Sequence, residues 1–287
     1  MTRIRVASSN FLLFTLLLLP LISARFGGDF RAFVHNRYGL EIAQKLERLD
    51  IGEDASFGGN EAGEGRYRGQ PVIIVHGITN KVSRFQHTVN ELRKHGYKGG
   101  VFGTTYGDGG TTPAGLVEMK CEYVKQIRSL IIAVYEYIGD KVDIIAYSMG
   151  SPIARKAVMG GLCVDTREVI GPPITELVDT FLSVAGSNSG TTLCFVPIPV
   201  GTCNRKNGLH CDSEFLADIN SQQRYEGSHT FSIFSTHDDK VGYRACGKLA
   251  SPIRGEDGFV RKKNLNHDQT MDTTTGLQIN FIRKHKP

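Results

Sequence analysis

The stretch "IIAYSMGSPIARKAV" (residues 144–158) decides how this chain is read. An apolar run ends at Ala146-Tyr147-Ser148-Met149-Gly150 and passes at once into a helix-like pattern, with Pro152 suited to a first helical turn. Small residues two places either side of Ser148 allow a sharp turn between a strand and a helix. Such a turn lifts the hydroxyl above the end of a sheet. It also aims the first N–H groups of the helix, and the positive end of its dipole, at the same point. A lone small-x-Ser-x-Gly fits a plain strand-to-helix junction equally well, so its surroundings must decide.

Working outward, short β-rich runs alternate with helical patterns. "PVIIV" (71–75), "VFGTTY" (101–106), "VDIIAY" (142–147), "VDTFLSVAG" (178–186) and "HTFSIFS" (229–235) read as strands buried on both faces. Between the first two, Phe85, Val89 and Leu92 recur at helical spacing, with Ser83 as N-cap and Gly96 as the stop. Between the second and third, residues 114–138 carry an apolar face of Met119, Val124, Ile127, Ile131, Val134 and Ile138. Residues 29–50 are also helical in pattern. A Gly-rich connection, "IGEDASFGGNEAGEGRYRGQ" (51–70), reads as a mobile surface loop. Strand, helix, strand, helix in succession predicts an α/β fold with a mostly parallel central sheet and helices on both faces. Residues 189–211 read as an irregular excursion stapled by cysteines.

The N-terminus has the three parts of a secretory signal peptide. Arg3 and Arg5 are followed by an apolar run from Phe11 to Leu19, then by Pro20 and the small residues Ser23 and Ala24. Residues 1–24 are therefore expected to be removed, leaving residues 25–287 as a single secreted domain. The apolar run is short for a bilayer span, and no later stretch is long enough for a transmembrane segment. The formal charge of +5 falls to about +3 without the leader, too weak to imply nucleic acid. All six cysteines, Cys121, Cys163, Cys194, Cys203, Cys211 and Cys246, follow the leader. An even number in an exported chain argues for disulfides, and spacing does not choose among the pairings. A zinc site from Cys203, His210 and Cys211 is the rival reading, but the spacing fits no standard structural site. No Asn-x-Ser/Thr sequon occurs.

A serine nucleophile needs a base, and the hydrolase order is serine, acid, histidine. His267, in "KNLNHDQTMD" near the C-terminus, lies where that order puts the base. His229 and His237 come before or beside any acid placed just after the strand at 229–235, and so break the order. Together, "VIIVHGIT", "AYSMGSPIARKA" and "LNHDQT" resemble the class 2 lipases, most closely their nematode branch, over roughly residues 30–285. The resemblance implies an α/β-hydrolase fold and serine esterase chemistry on acyl esters, with no metal or organic cofactor. It implies Asp238 as the acid, since the family pattern sets a valine shortly after it, here Val241 beyond Asp239 and Lys240. It also implies the backbone N–H groups of Ile78 and Met149 as oxyanion donors, with His76 supporting their loop. Two departures stand out: Ala146 replaces the first glycine of Gly-x-Ser-x-Gly, and Tyr147 replaces a frequent histidine.

The reading is thus a secreted serine lipase or esterase acting on triacylglycerol or related lipids, with a lipid or ester substrate met at a lipid–water interface. "TTLCFVPIPV" (191–200) is the candidate apolar lip, or alternatively disulfide-anchored core. A water-soluble carboxylesterase or a phospholipid acyl hydrolase would use the same three residues. A non-catalytic lipid-binding protein on the hydrolase scaffold is the alternative outside the enzymes.

Overall fold

The chain alternates between nine strands and eight α-helices among the residues described by the computed structural model, which are 25–61, 67, 69–195 and 200–287. The expected signal peptide, residues 62–66 and 68 of the Gly-rich connection, and residues 196–199 of the candidate lip lie outside them. The strands are β1 (Ser56–Phe57), β2 (Val72–Val75), β3 (Val101–Thr104), β4 (Val142–Tyr147), β5 (Val178–Val184), β6 (His229–Ser235), β7 (Arg244–Ala245), β8 (Lys248–Leu249) and β9 (Gly258–Lys262). The helices are α1 (Gly28–Tyr38), α2 (Leu40–Glu47), α3 (Gln86–Lys94), α4 (Cys121–Ile138), α5 (Gly150–Met159), α6 (Glu214–Ile219), α7 (His267–Asp272) and α8 (Thr275–Lys284).

Seven strands form one sheet in the order β1-β3-β2-β4-β5-β6-β9, parallel throughout except for β1 at one edge. The alternation of side chains along each strand splits the core in two. Ile73, Val75, Ile144 and Ala146 face one side and pack with residues of α1, α2, α4 and α5. Val72, Ile74, Ile145 and Tyr147 face the other, with residues of α3, α7 and α8. A sheet covered on both faces explains why its strands read as continuous apolar runs. β7 and β8 form a separate hairpin.

Five of the seven sheet strands match the expected runs, with β3 and β5 ending two residues early. β1 and β9 were not expected. β1 corrects the reading of residues 51–70 as a mobile surface loop. Ala55, Ser56 and Phe57 are buried, Thr105 N–H donates to the Ala55 carbonyl, and β1 pairs antiparallel with β3. β9 alternates between half-buried and exposed residues, so it lacks the apolar run that marks the inner strands.

Three helix expectations also need correction. Residues 29–50 split into α1 and α2 at Gly39, whose φ of 84° ends a right-handed helix. Residues 114–138 are a short 3-10 turn (Ala114–Leu116), an extended link, and then α4. Ser83 is not an N-cap: it lies inside a 3-10 turn preceding α3, and its hydroxyl donates to Asp54 Oδ2 at 3.1 Å.

The cysteines pair as Cys121–Cys163, Cys194–Cys203 and Cys211–Cys246. Both sulfurs of the alternative zinc trio are therefore consumed in disulfides. The first bond joins the start of α4 to the loop after α5, the second closes the excursion on itself, and the third ties it to the β7–β8 hairpin.

Candidate active site

Ser148 sits between the last residue of β4 and the N-terminus of α5, with φ of 55°. A non-glycine residue in this left-handed region is strained, and the conformation places the side chain at the C-terminal end of the sheet strands. The sequence allows the turn because its neighbours are small. A Cβ on Gly150 would lie 2.2 Å from the His76 carbonyl oxygen, and one on Gly77 would lie 2.9 Å from Ser148 Cβ. The end of β2 thus passes directly against the serine turn, which no larger residue at position 150 permits. Ala146 lies fully buried in β4, opposite Val75, so a methyl group is accommodated there.

The other two candidates arrive from loops beyond neighbouring strands. Asp238 follows β6, and His267 opens α7 after β9. His267 Nε2 lies 2.9 Å from Ser148 Oγ, and His267 Nδ1 lies 2.8 Å from Asp238 Oδ2. A carboxylate only accepts, so Nδ1 carries the proton and Nε2 is free to accept from the serine hydroxyl. Side-chain exposure is 2% for His267 and 1% for Asp238, which makes the relay dry.

Burial alone would raise the Asp238 carboxyl. The hydrogen bond and charge of His267, together with the N–H groups of Val241 (2.8 Å) and Lys240 (3.0 Å) on Oδ1, outweigh it and hold the group below its ordinary value. Asp239 is exposed but not idle: its Oδ1 accepts from the His267 backbone N–H at 2.9 Å. The two acids divide the work, one on the imidazole and one on its backbone. Asn266 and Gln269 form a capping box that starts α7 at the histidine.

Ile78 lies just beyond β2, and Met149 at the N-cap of α5. Neither backbone N–H has an acceptor among the described residues. Their loop is fixed by His76, whose ring is fully buried against the Tyr106 ring, with centroids 4.0 Å apart. His76 Nδ1 donates to the Gly77 carbonyl at 2.7 Å, and Nε2 accepts the Tyr106 N–H at 3.0 Å. Accepting at Nε2 needs the neutral ring, and burial drives its pKa down to about 4.

One group went unrecognised in the sequence. Asp268 accepts from Tyr147 Oη at 2.6 Å and pairs with Lys240 Nζ at 2.8 Å and Arg84 at 3.4 Å. Tyr147 adjoins Ser148, Lys240 follows Asp238 by two places, and Asp268 adjoins His267. One carboxylate therefore ties together the three segments that carry the candidate triad. Its position next to His267 was the only signal, and adjacency alone carries no chemistry. The Tyr147 ring, 4.9 Å from that of His267, also backs the imidazole.

The candidate lip alternates. Leu193 and Phe195 are 60% and 62% exposed, whereas Cys194 between them is buried. Leu116 and Val200 add exposed apolar surface, and Thr202 Oγ1, donating to the Val117 carbonyl at 2.7 Å, holds the two loops together. The segment begins beside the acid loop, where Thr192 N–H donates to the Val241 carbonyl at 3.0 Å.

The family model described as lipase (class 2) matches residues 69–280. Similar solved structures include lipase B of Aspergillus fumigatus (TM-score 0.55, 14% identity, 78% of this chain and 54% of that chain). They also include mature lipase BlEst2 of Bacillus licheniformis (0.53, 12%, 79% and 96%) and a monoacylglycerol lipase of Paleococcus ferrophilus (0.52, 11%, 80% and 98%). The chain thus spans about half the length of the Aspergillus lipase. At these identities the likeness is one of fold, the α/β-hydrolase fold. No curated protein sequence matches the chain significantly.

Proposed function

This chain belongs to the class 2 lipase family, a family of carboxylic ester hydrolases, and on that premise we propose that it cleaves acyl esters of lipids through an acyl-enzyme on Ser148. The observation that carries the reading is the relay from Ser148 Oγ to His267 Nε2 (2.9 Å) and from Nδ1 to Asp238 (2.8 Å), set on a left-handed serine turn.

In this reading Ser148 Oγ attacks the ester carbonyl as His267 Nε2 takes its proton. Charge on the carbonyl oxygen is met by the N–H groups of Ile78 and Met149, while Asp238 stabilises the imidazolium. Collapse breaks the ester C–O bond, and His267 gives its proton to the departing alcohol. Water, deprotonated by His267, then attacks the acyl-serine; the fatty acid leaves and Ser148 regains its proton. The low Asp238 carboxyl keeps the counter-charge in place throughout the neutral range.

The apolar surface of Leu116, Leu193, Phe195 and Val200 supports a substrate presented at a lipid–water interface, because it borders the acid loop rather than a remote face. The three disulfides support a secreted, one-domain enzyme, with residues 1–24 as its leader.

The test uses purified protein with a fluorophosphonate probe and a series of esters, each assayed below and above its solubility limit. Wild type should take the probe at Ser148 and turn over faster on emulsions, while Ser148→Ala takes no probe and loses turnover by several powers of ten. Retention of a tenth of the activity in Ser148→Ala would sink the triad. Activity confined to dissolved short-chain esters would leave a serine esterase and remove the lipid interface.

A further inference from the structure

The end of the sheet remote from Ser148 holds a second cluster that the hydrolytic mechanism does not use. Parallel strands place their N-terminal ends there, and Asp179 near the start of β5 lies beside His229 at the start of β6, where Thr180 pairs with His229. The C-terminal cap of α8, His285, closes over both. Its Nε2 is 2.9 Å from Asp179 Oδ2, and its ring stacks on that of His229 with centroids 3.8 Å apart. One donor atom from each of the three side chains lies within 4.8 Å of the others.

Asp143 borders the cluster on the β4 side. It comes from β4, the next strand in the sheet, and is fully buried. Its Oδ1 accepts from the Thr180 N–H at 3.1 Å, but its Oδ2 has no partner. It lines the same surface pocket as His285, a space of about 410 Å³. Burial and the nearby Asp179 push the Asp143 carboxyl up to about 8, so it stays protonated at neutral pH and adds no charge to the cluster. The cationic side chain of Arg283, which also lines the pocket, is held by the His95 carbonyl at 3.2 Å.

We propose that Asp179, His229 and His285 form a structural site for a zinc-class dication that pins the C-terminal helix to the sheet. Two imidazoles and one carboxylate suit a borderline cation, whereas calcium and magnesium favour all-oxygen sets. Tetrahedral zinc, with bonds of about 2.0–2.1 Å, sets its ligand atoms roughly 3.3 Å apart. The Asp179–His285 pair is already closer than that, whereas His229 must leave its stack on the His285 ring to turn a nitrogen to the ion. The imidazole of His285 carries its proton on Nδ1 once the cation takes Nε2, and water fills the fourth position. Side-chain exposures of 38% for His285 and 19% for Asp179 leave the ligands open to solvent. Because α8 follows directly on α7, a cation here fixes the far end of the segment that carries His267.

The test takes protein stripped with a chelator and titrates zinc chloride by calorimetry, with thermal unfolding followed in parallel. One zinc per chain should bind, and at about a hundredfold excess over Kd it should raise Tm by about 5–10 °C. His229→Ala and His285→Ala, each checked for native circular dichroism, should weaken zinc binding at least tenfold and lose the Tm rise. Cobalt should give the intense visible bands of a tetrahedral site in wild type only. No stoichiometric zinc binding by wild type would overturn the proposal, as would wild-type affinity in both variants. Calcium binding as tightly as zinc would overturn the zinc class.

Discussion

Ser148 holds a conformation that its own side chain disfavours. Left-handed backbone costs a non-glycine residue about 1–2 kcal/mol, strain retained here because the turn aims the hydroxyl at His267. Ser148→Gly should therefore raise stability by about 1 kcal/mol in chemical denaturation while abolishing turnover. Equal or lower stability would show that the turn is unstrained. Asp238 and Asp239 separate by role in the same way. Asp238→Asn removes the charge facing the imidazole and should reduce kcat on the order of ten-thousand-fold. Asp239→Asn keeps an oxygen for the His267 N–H and should change kcat by less than about threefold, whereas Asp239→Ala loses that bond and should cost more. A severe loss in Asp239→Asn beside near-normal Asp238→Asn would reverse the assignment.

At the scale of elements, His76 helps fix the loop after β2 and Asp268 helps fix the start of α7. His76 is neutral in the fold, with a pKa of about 4, against an unfolded value of about 6.5. Between these values the unfolded chain binds the extra proton, so stability is full above about pH 6.5 and declines as pH falls towards 4. The loss is on the order of 3 kcal/mol. His76→Gln should lower stability at pH 7 and flatten that acid decline; an unchanged decline would assign it to other groups. Asp268 fixes how α7 meets the serine turn. Asp268→Ala should lower kcat about ten- to a hundredfold with little change in KM, because the imidazole is misplaced while substrate contacts persist. Restoration by Asp268→Glu, or a loss mainly in KM, separates positioning from substrate binding.

Across the whole molecule, the disulfides anchor what the sheet does not hold. Cys121–Cys163 and Cys211–Cys246 span 42 and 35 residues, and Cys194–Cys203 spans 9. Chain-entropy estimates give about 4 kcal/mol for each of the two long spans and about 2.5 kcal/mol for the short one. Cys121→Ser with Cys163→Ser should then lower stability by about 4 kcal/mol. Breaking Cys194–Cys203 should cost less and act mainly on emulsified substrate, since that bond braces the exposed Leu193 and Phe195. Alkylation of all six cysteines without reductant would contradict both predictions.

The sequence by itself determined the inner sheet, because strands buried on both faces must be apolar throughout. The turn at Ser148 was legible through local sterics, small residues flanking a serine between strand and helix. The serine–acid–histidine order and the family resemblance pointed to His267 and Asp238 as candidates. The β1 and β9 edges were not legible, since two-residue pairing and half-exposed alternation leave little pattern. Spacing was also silent on which cysteines pair, and it hid the late start of α4, where the apolar pattern continues back across a non-helical link. Only the tertiary structure decided that Asp239 holds the His267 backbone, that Asp268 joins Tyr147 to Lys240, and that Asp179, His229 and His285 meet. Those contacts join residues far apart in the chain, and a polar side chain shows no periodicity from which its partner could be read. Apolar burial repeats along a sequence; a hydrogen bond between distant loops exists only once the sheet has set their positions.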